Sequence, residues 1–183
     1  MKFRLLNEKD LLLRVKWMND VRIYSTMHFK PPILMEDTIQ WFNINKENSQ
    51  REDFVFETLD GDVLSMSGLT GLDTDILKME SYIFVDPDTK AKGLGKKTLF
   101  LQCVYAFEIL KINKIYAYID SDNFASQRLY TKIGFKKEGI LRNETRRENG
   151  FIDRYYYGCF IGDLDKSLFQ YQVNYDCKEI ILL

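Results

Sequence analysis

The chain of 183 residues has one histidine, His28, and three cysteines, Cys103, Cys159 and Cys177, none closely spaced. A single imidazole cannot build a histidine metal cluster, and an odd, scattered set of thiols suits neither a disulfide framework nor a zinc site. No metal is expected, and reduced thiols point to the cytoplasm. No apolar run approaches the roughly 18 residues that a membrane-spanning helix needs. The opening stretch MKFRLLNEKDLLLRVKW breaks its apolar residues with charges, so neither a secretory leader nor a membrane association is expected. An excess of one charge is also missing: 26 Lys and Arg stand against 27 Asp and Glu. Without a basic excess to recruit phosphates, nucleic-acid binding is not expected as the main task.

What is present is an ordinary globular composition, 45% apolar and 29% charged, at a length that suits one domain. Residues 3–6 read as a strand, and NEKDLLLRVKWMN as a helix with Asn7 as N-cap. After Pro31-Pro32 a further helix is expected, with Ile39, Phe42 and Trp41 as candidates for its inward face. EDFVFETLDGDVLSMSGLTGL reads as a hairpin around Asp60-Gly61, and KMESYIFV as the next strand. The helix after Gly95 has Leu99, Cys103, Ala106, Phe107 and Leu110 at helical spacing, predicting one apolar face. KIYAYID reads as a strand, NFASQRLYTKIG as a short helix stopped by Gly134, and the segment around Asn149-Gly150 as a long hairpin. The closing DLDKSLFQYQVNYDCKEIILL fits either a helix and a strand or a tail whose apolar end docks on the body or on a second subunit. The expected order is β-α-α-β-β-β-α-β-α-β-β, a mixed α/β (α+β) sheet with flanking helices.

One corner carries chemistry. In VDPDTKAKGLGKK a strand ends, lysines gather, and Gly93 and Gly95 open a helix. Glycines leave the backbone bare, and the first N–H groups of a helix point outward with a dipole that favours an anion. A tight turn with solvated lysines accounts for the same residues. The NTPase phosphate loop fails, because Lys90 lies five residues before Gly95 and Lys97 follows Lys96. The dinucleotide fingerprint fits Gly93 and Gly95 but meets Thr98 where a third glycine belongs, while Asp120 ends the following strand.

A third reading uses more of the chain. The corner resembles the acetyl-CoA signature of the GNAT superfamily of N-acetyltransferases, in which Gln or Arg precedes a glycine pair; Lys90 stands in that first position. DSDNFASQRLYTKIGFKKEG resembles the second block of the family, with Asn123, Ser126, Tyr130, Gly134, Phe135 and Gly139 in place. KWMNDVRIYSTM, QWF and NGFIDRYYYGCF are most similar to the branch with ribosomal-protein N-terminal, polyamine and nucleotide-linked amino-sugar acetyltransferases. The resemblance implies one domain over residues 1–162, with 163–183 as an extension of unassigned role. It further implies direct transfer of acetyl from acetyl-CoA to a primary amine on a small molecule or peptide.

By that resemblance Tyr130 is the candidate acid toward the leaving thiolate, against the alternative of a core aromatic. Glu80 is the candidate base, against a solvated carboxylate or water in its place. Alternation puts Glu80, Tyr82 and Phe84 on one face of their strand and Ser81, Ile83 and Val85 on the other. A backbone N–H at Phe84 or Val85 is the candidate oxyanion donor. Lys90, Ala91, Lys92, Gly93, Leu94, Gly95 and Lys96 would hold the pyrophosphate, and Asn123 and Ser126 the rest of the cofactor. Asn123 also suits an N-cap. His28 reads as structural. The arginines of RNETRREN favour a small amine such as an amino sugar slightly over a protein N-terminus. The apolar EIILL end makes a homodimer plausible. A nicotinamide-dependent oxidoreductase and a non-catalytic acyl-CoA-binding module stay open as alternatives.

Overall fold

The computed structural model describes residues 1–148 and 150–183. Nine strands form one sheet: β1 (Lys2–Leu5), β2 (Arg51–Glu57), β3 (Val63–Asp73), β4 (Lys78–Val85), β5 (Lys114–Asp120), β6 (Lys136–Arg147), β7 (Gly150–Phe160), β8 (Tyr171–Asn174) and β9 (Glu179–Leu182). Their spatial order is β6-β7-β5-β4-β3-β2-β1-β9-β8. Every neighbouring pair is antiparallel except β4 and β5. Helices α1 (Leu11–Met18), α2 (Val21–Met27) and α3 (Met35–Asn45) precede β2; α4 (Leu94–Val104) and α5 (Phe124–Ile133) flank β5 in sequence.

Alternation along the central strands sends apolar side chains to both faces, and each face has its own core. Phe54, Leu69, Met79, Ile115 and Ala117 pack with Leu99, Cys103 and Tyr130 of α4 and α5. Val55, Met66 and Phe84 pack with Leu11, Trp17 and Ile23 of α1 and α2. Asn7 caps as expected, its side chain accepting from Lys9 N–H at 3.2 Å, but the cap opens a 3₁₀ turn, Glu8–Asp10, that leads into α1. Arg4 stitches this entry: its guanidinium donates to both Asp10 carboxylate oxygens at 2.7 and 2.9 Å and to Glu57 at 2.6 Å, all buried.

Three expectations change. The element order gains the closing strands β8 and β9 and the helix α2, whose seven residues bury Ile23 alone, too little apolar surface to register as a periodicity. Ile39 of α3 faces solvent, while Trp41 and Phe42 are half-buried. The helix α4 does not have one apolar face: Leu94 and every residue from Thr98 to Val104 are buried. The closing segment is the reason. It forms the β8–β9 hairpin, β9 pairs with β1, and Phe169 and Tyr171 lie 5.1 and 5.6 Å from the Phe100 ring, covering the outer side of α4. Of the expected Asn149-Gly150 turn, Asn149 lies outside the described residues; β6 and β7 pair up to Arg147 opposite Gly150. Among the described residues no helix is long and apolar enough to cross a membrane.

Candidate active site

The site is made by two strands that part company. β4 and β5 pair in parallel over Lys78↔Lys114, Met79↔Ile115 and Glu80↔Tyr116, and no further. Beyond Glu80, β4 stays with β3 as far as Val85↔Ser65, while β5 stays with β7 as far as Asp120↔Arg154. Each strand follows its own antiparallel neighbour, so a wedge opens between their C-terminal ends. The wedge holds a cleft of about 130 Å³ bordered by Glu80, Ser81, Asp120, Asn123, Tyr130 and Arg154, among others.

The backbone of β4 has an open edge here. Asp86 N–H donates to Leu64 O at 3.0 Å. In an antiparallel ladder hydrogen-bonding direction alternates, so Ser81, Ile83 and Val85 turn their N–H and C=O groups away from β3 into the gap. This separates the two oxyanion candidates: the N–H of Val85 faces the wedge, whereas that of Phe84 faces β3. The side chain of Phe84 is buried against Trp17, so Phe84 is a wall residue and not a donor.

At the mouth of the wedge β4 leads into the glycine corner. Gly93 sits at φ +79°, the left-handed region, and caps α4 without a side-chain bond. The first helical bond runs from Lys97 N–H to Gly93 O, so the N–H groups of Leu94, Gly95 and Lys96 point out of the helix end. Gly95 lets α5 close in: a Cβ there would stand 3.3 Å from Leu129 Cδ2. Gly93→Ala is expected to cost about 1–2 kcal/mol through the left-handed backbone, read as a lowered denaturation midpoint. Lys90, Ala91 and Lys92 are exposed at the corner. Lys96 is drawn aside, its ammonium 5.5 Å over the Phe169 ring. The loop is held from the far side by Arg22, which donates to Pro87 O at 2.8 Å and to Asp88 at 2.9 Å.

Tyr130 projects from α5 into the base of the wedge, 3% exposed, its ring edge-on to Phe135. Its oxygen lies 3.1 Å from Ser81 Oγ and 3.4 Å from Ser81 O. Burial pushes the phenol up, outweighing the Ser81 bond that favours the phenolate. Glu80 borders the cleft on the opposite face of β4, as alternation requires. Burial raises its carboxyl above the ordinary range, partly opposed by the Arg154 charge. Asn123 is both N-cap and lining: its Oδ1 accepts from Ser126 N–H at 3.1 Å while both residues border the cleft.

The far wall is an ion cluster that sequence reasoning did not assemble. Asp120, 3% exposed, receives His28 Nε2 at 2.9 Å, the Arg147 guanidinium and the Thr145 hydroxyl. Arg154 Nε stands 3.1 Å from Asp120 Oδ1 but out of line for a hydrogen bond. Burial alone would raise the Asp120 carboxyl; His28, Arg147 and Arg154 together hold it below its ordinary value. His28 is thus structural, tying the end of α2 to β5 across 92 residues of sequence, a separation with no local signal. Beside the cleft Tyr82, pushed up to about 12 mainly by burial, donates to Asp53, and the Trp41 ring lies between Arg14 and Arg51. Tyr157 joins the core, while Tyr156 stacks on Tyr116 across the other face.

The dinucleotide alternative fails on the same ground. Thr98, in place of the third glycine, is buried and bonded to Ser65 Oγ at 2.6 Å and Leu94 O at 2.9 Å, and Asp120 is occupied by its cations. Among the described residues no three metal-ligating side chains converge.

Comparison with known proteins agrees with this geometry. A profile described as the acetyltransferase (GNAT) domain matches residues 1–136. Spermidine N(1)-acetyltransferase of Escherichia coli strain K12 is 31% identical over 98 residues, 54% of this chain and 52% of that protein, so the match spans about half that relative's length. Spermidine N(1)-acetyltransferase of Vibrio cholerae is 24% identical over 77% of this chain and 82% of its own. The crystal structure of the V. cholerae spermidine N-acetyltransferase in complex with CoA and spermine shares the fold, with a TM-score of 0.83 at 22% identity over 88% of this chain and 95% of that one. With a profile match over residues 1–136 and a shared overall fold, the chain belongs to the GNAT family of acetyltransferase domains.

Proposed function

We propose that the chain is an N-acetyltransferase that moves acetyl from acetyl-CoA to a primary amine, with a polyamine as acceptor. The observation that carries it is the splayed β4–β5 wedge, which brings an open strand edge, Tyr130 and Glu80 to one cleft, with β4 running on from it to a glycine-led helix N-terminus. Acetyl-CoA fits these parts. The C=O of Ile83 and the N–H and C=O groups of Val85 would pair with the amides of the pantetheine arm. The N–H groups of Leu94, Gly95 and Lys96, with Lys90 and Lys92 around them, would hold the pyrophosphate. Asn123 and Ser126 border the cleft and would meet the rest of the cofactor.

The bound thioester supplies an activated acetyl carbon; the side chains then meet three demands. Glu80 takes the proton from the attacking amine. Ile83 N–H, on the open edge of β4 and bordering the cleft with Ser81 and Tyr130, faces the developing oxyanion; Val85, four residues and about 13 Å along the strand from Ser81, stands too far from Tyr130 for that role. Tyr130 gives its proton to the departing sulfur. The polyamine is supported by the names of the relatives and by a correction to the arginine argument. Of the three arginines in RNETRREN, Arg147 is bound to Asp120 and Asp122 within the wall and is not held out to an anionic acceptor such as an amino-sugar nucleotide, while Arg142 and Arg146 are exposed on β6.

A pH profile tests the base. Glu80 accepts a proton only when ionised, and its carboxyl is raised, so the rate falls as pH drops through that raised value. Glu80→Gln is expected to lower kcat by about 10²-fold and to remove that acid limb. A limb unchanged in the variant assigns the base elsewhere.

A further inference from the structure

Gln102 lies in the middle of α4, fully buried. Its Nε2 donates to Gly68 O at 2.6 Å and faces Tyr82 O at 3.4 Å. Two carbonyls on that side fix the amide's orientation, because an oxygen there would face two acceptors. Oε1 is therefore the atom turned to Ser81, whose hydroxyl donates to it at 2.7 Å. With its one proton so placed, Ser81 Oγ can only accept, and the Tyr130 hydroxyl at 3.1 Å is the donor. The chain of bonds runs in a single sense, from Tyr130 through Ser81 to Gln102.

We propose that Ser81 is a positioning residue with two states: an acceptor for the neutral Tyr130 phenol, and a donor to the phenolate formed when Tyr130 protonates the leaving group. Gln102 is the second acceptor that keeps the Ser81 proton satisfied in the first state. The proposal rests on the reading of Tyr130 as the acid. In the transfer the amine nitrogen bonds to the acetyl carbon and loses a proton to Glu80. The carbon–sulfur bond breaks with its electron pair going to sulfur, which takes the Tyr130 proton. The phenolate oxygen then stands 3.1 Å from Ser81 Oγ, and a rotation of the Ser81 hydroxyl from Gln102 to Tyr130 stabilises it until water carries the Glu80 proton back. Such a rotation needs no movement of heavy atoms, which suits a site where both oxygens are buried.

The test is steady-state kinetics on Ser81→Ala, alone and combined with Tyr130→Phe, with spermidine as the acceptor. Ser81→Ala is expected to lower kcat about tenfold while the acetyl-CoA KM stays within about twofold, and to enlarge the solvent deuterium isotope effect on kcat. Added to Tyr130→Phe it is expected to cost nothing further, since the hydroxyl it serves is gone. Gln102→Met keeps the side-chain volume and leaves Ser81 free to donate, so kcat is expected to stay within about threefold. Ser81→Cys, of similar size, lowers kcat in the same direction and is read where Ser81→Ala does not fold. A tenfold loss that persists in the Tyr130→Phe background overturns the proposal, as does a Gln102→Met loss equal to that of Ser81→Ala. If Tyr130→Phe alone keeps the parent rate, the acid reading itself falls, and Ser81 with it.

Discussion

Tyr130→Phe is expected to lower kcat by about 10²- to 10³-fold while leaving acetyl-CoA binding and the fold in place. The reasoning separates the hydroxyl from the ring. The ring is buried and packs edge-on at 4.8 Å from Phe135, a contact that phenylalanine keeps. Removing the hydroxyl strands no partner, because Ser81 Oγ retains Gln102 Oε1 at 2.7 Å. The stability cost is therefore that of one neutral hydrogen bond, about 0.5–1.5 kcal/mol. The catalytic cost is larger because the thiolate then leaves without its proton donor. Burial holds the phenol up, so Tyr130 stays protonated across the neutral range and is ready as an acid wherever Glu80 is ionised. Stopped-flow or thiol-release kinetics together with an acetyl-CoA-dependent rise in Tm measure both halves. An unchanged kcat with retained binding removes the acid role.

Arg4→Met is expected to give the largest loss of stability, about 3–5 kcal/mol at neutral pH. Arg4 is 6% exposed and is shared by Asp10 and Glu57, themselves 3% and 5% exposed. Deleting the cation leaves two carboxylates facing each other out of water. For a chain of this size that corresponds to a fall in Tm of roughly 6–20 °C. The pH dependence carries a sign. In the parent protein the Arg4 bond holds the Glu57 carboxyl below its ordinary value. Its contribution is present above the unfolded pKa and is lost as pH falls through the lower folded one. In the variant the Glu57 carboxylate, buried without its cation, gains by taking up a proton instead. The gap in Tm between the two proteins is therefore expected to narrow from pH 7 to pH 5 in calorimetry. A gap that widens on acidification contradicts the buried triad.

The two predictions draw on parts of the chain that were not equally legible. The glycine corner and the NFASQRLYTKIGF block declared themselves because their functions are local: a left-handed cap at Gly93, an N-cap at Asn123 and a stop at Gly134, φ +124°, each fix backbone within a few residues. Glu80 and Ser81 fell on opposite faces of β4 because a strand has a period of two. Gln102 left a faint trace, a lone amide in the apolar run LFLQCVYAF, where a buried polar group must find partners. What stayed hidden depended on distance. The Asp120 cluster joins α2, β5, β6 and β7, and no spacing in the sequence brings His28 to it. The β8–β9 hairpin consists of two strands of four residues, too short for a pattern, yet it decides that α4 is buried all round. The phenylalanine at position 84 reads as a donor candidate until the register with Met66 shows which way its N–H turns.

The central claim, that this wedge transfers acetyl to an amine, is tested most directly by thiol release from acetyl-CoA in the presence of spermidine, with and without Glu80→Gln. The account predicts thiol that appears only when both substrates are present, together with N-acetylspermidine, and a rate that collapses in the variant. Acetyl-CoA that raises the Tm of the protein yet yields no thiol with spermidine or any other primary amine would contradict it and leave a binding module in place of an enzyme.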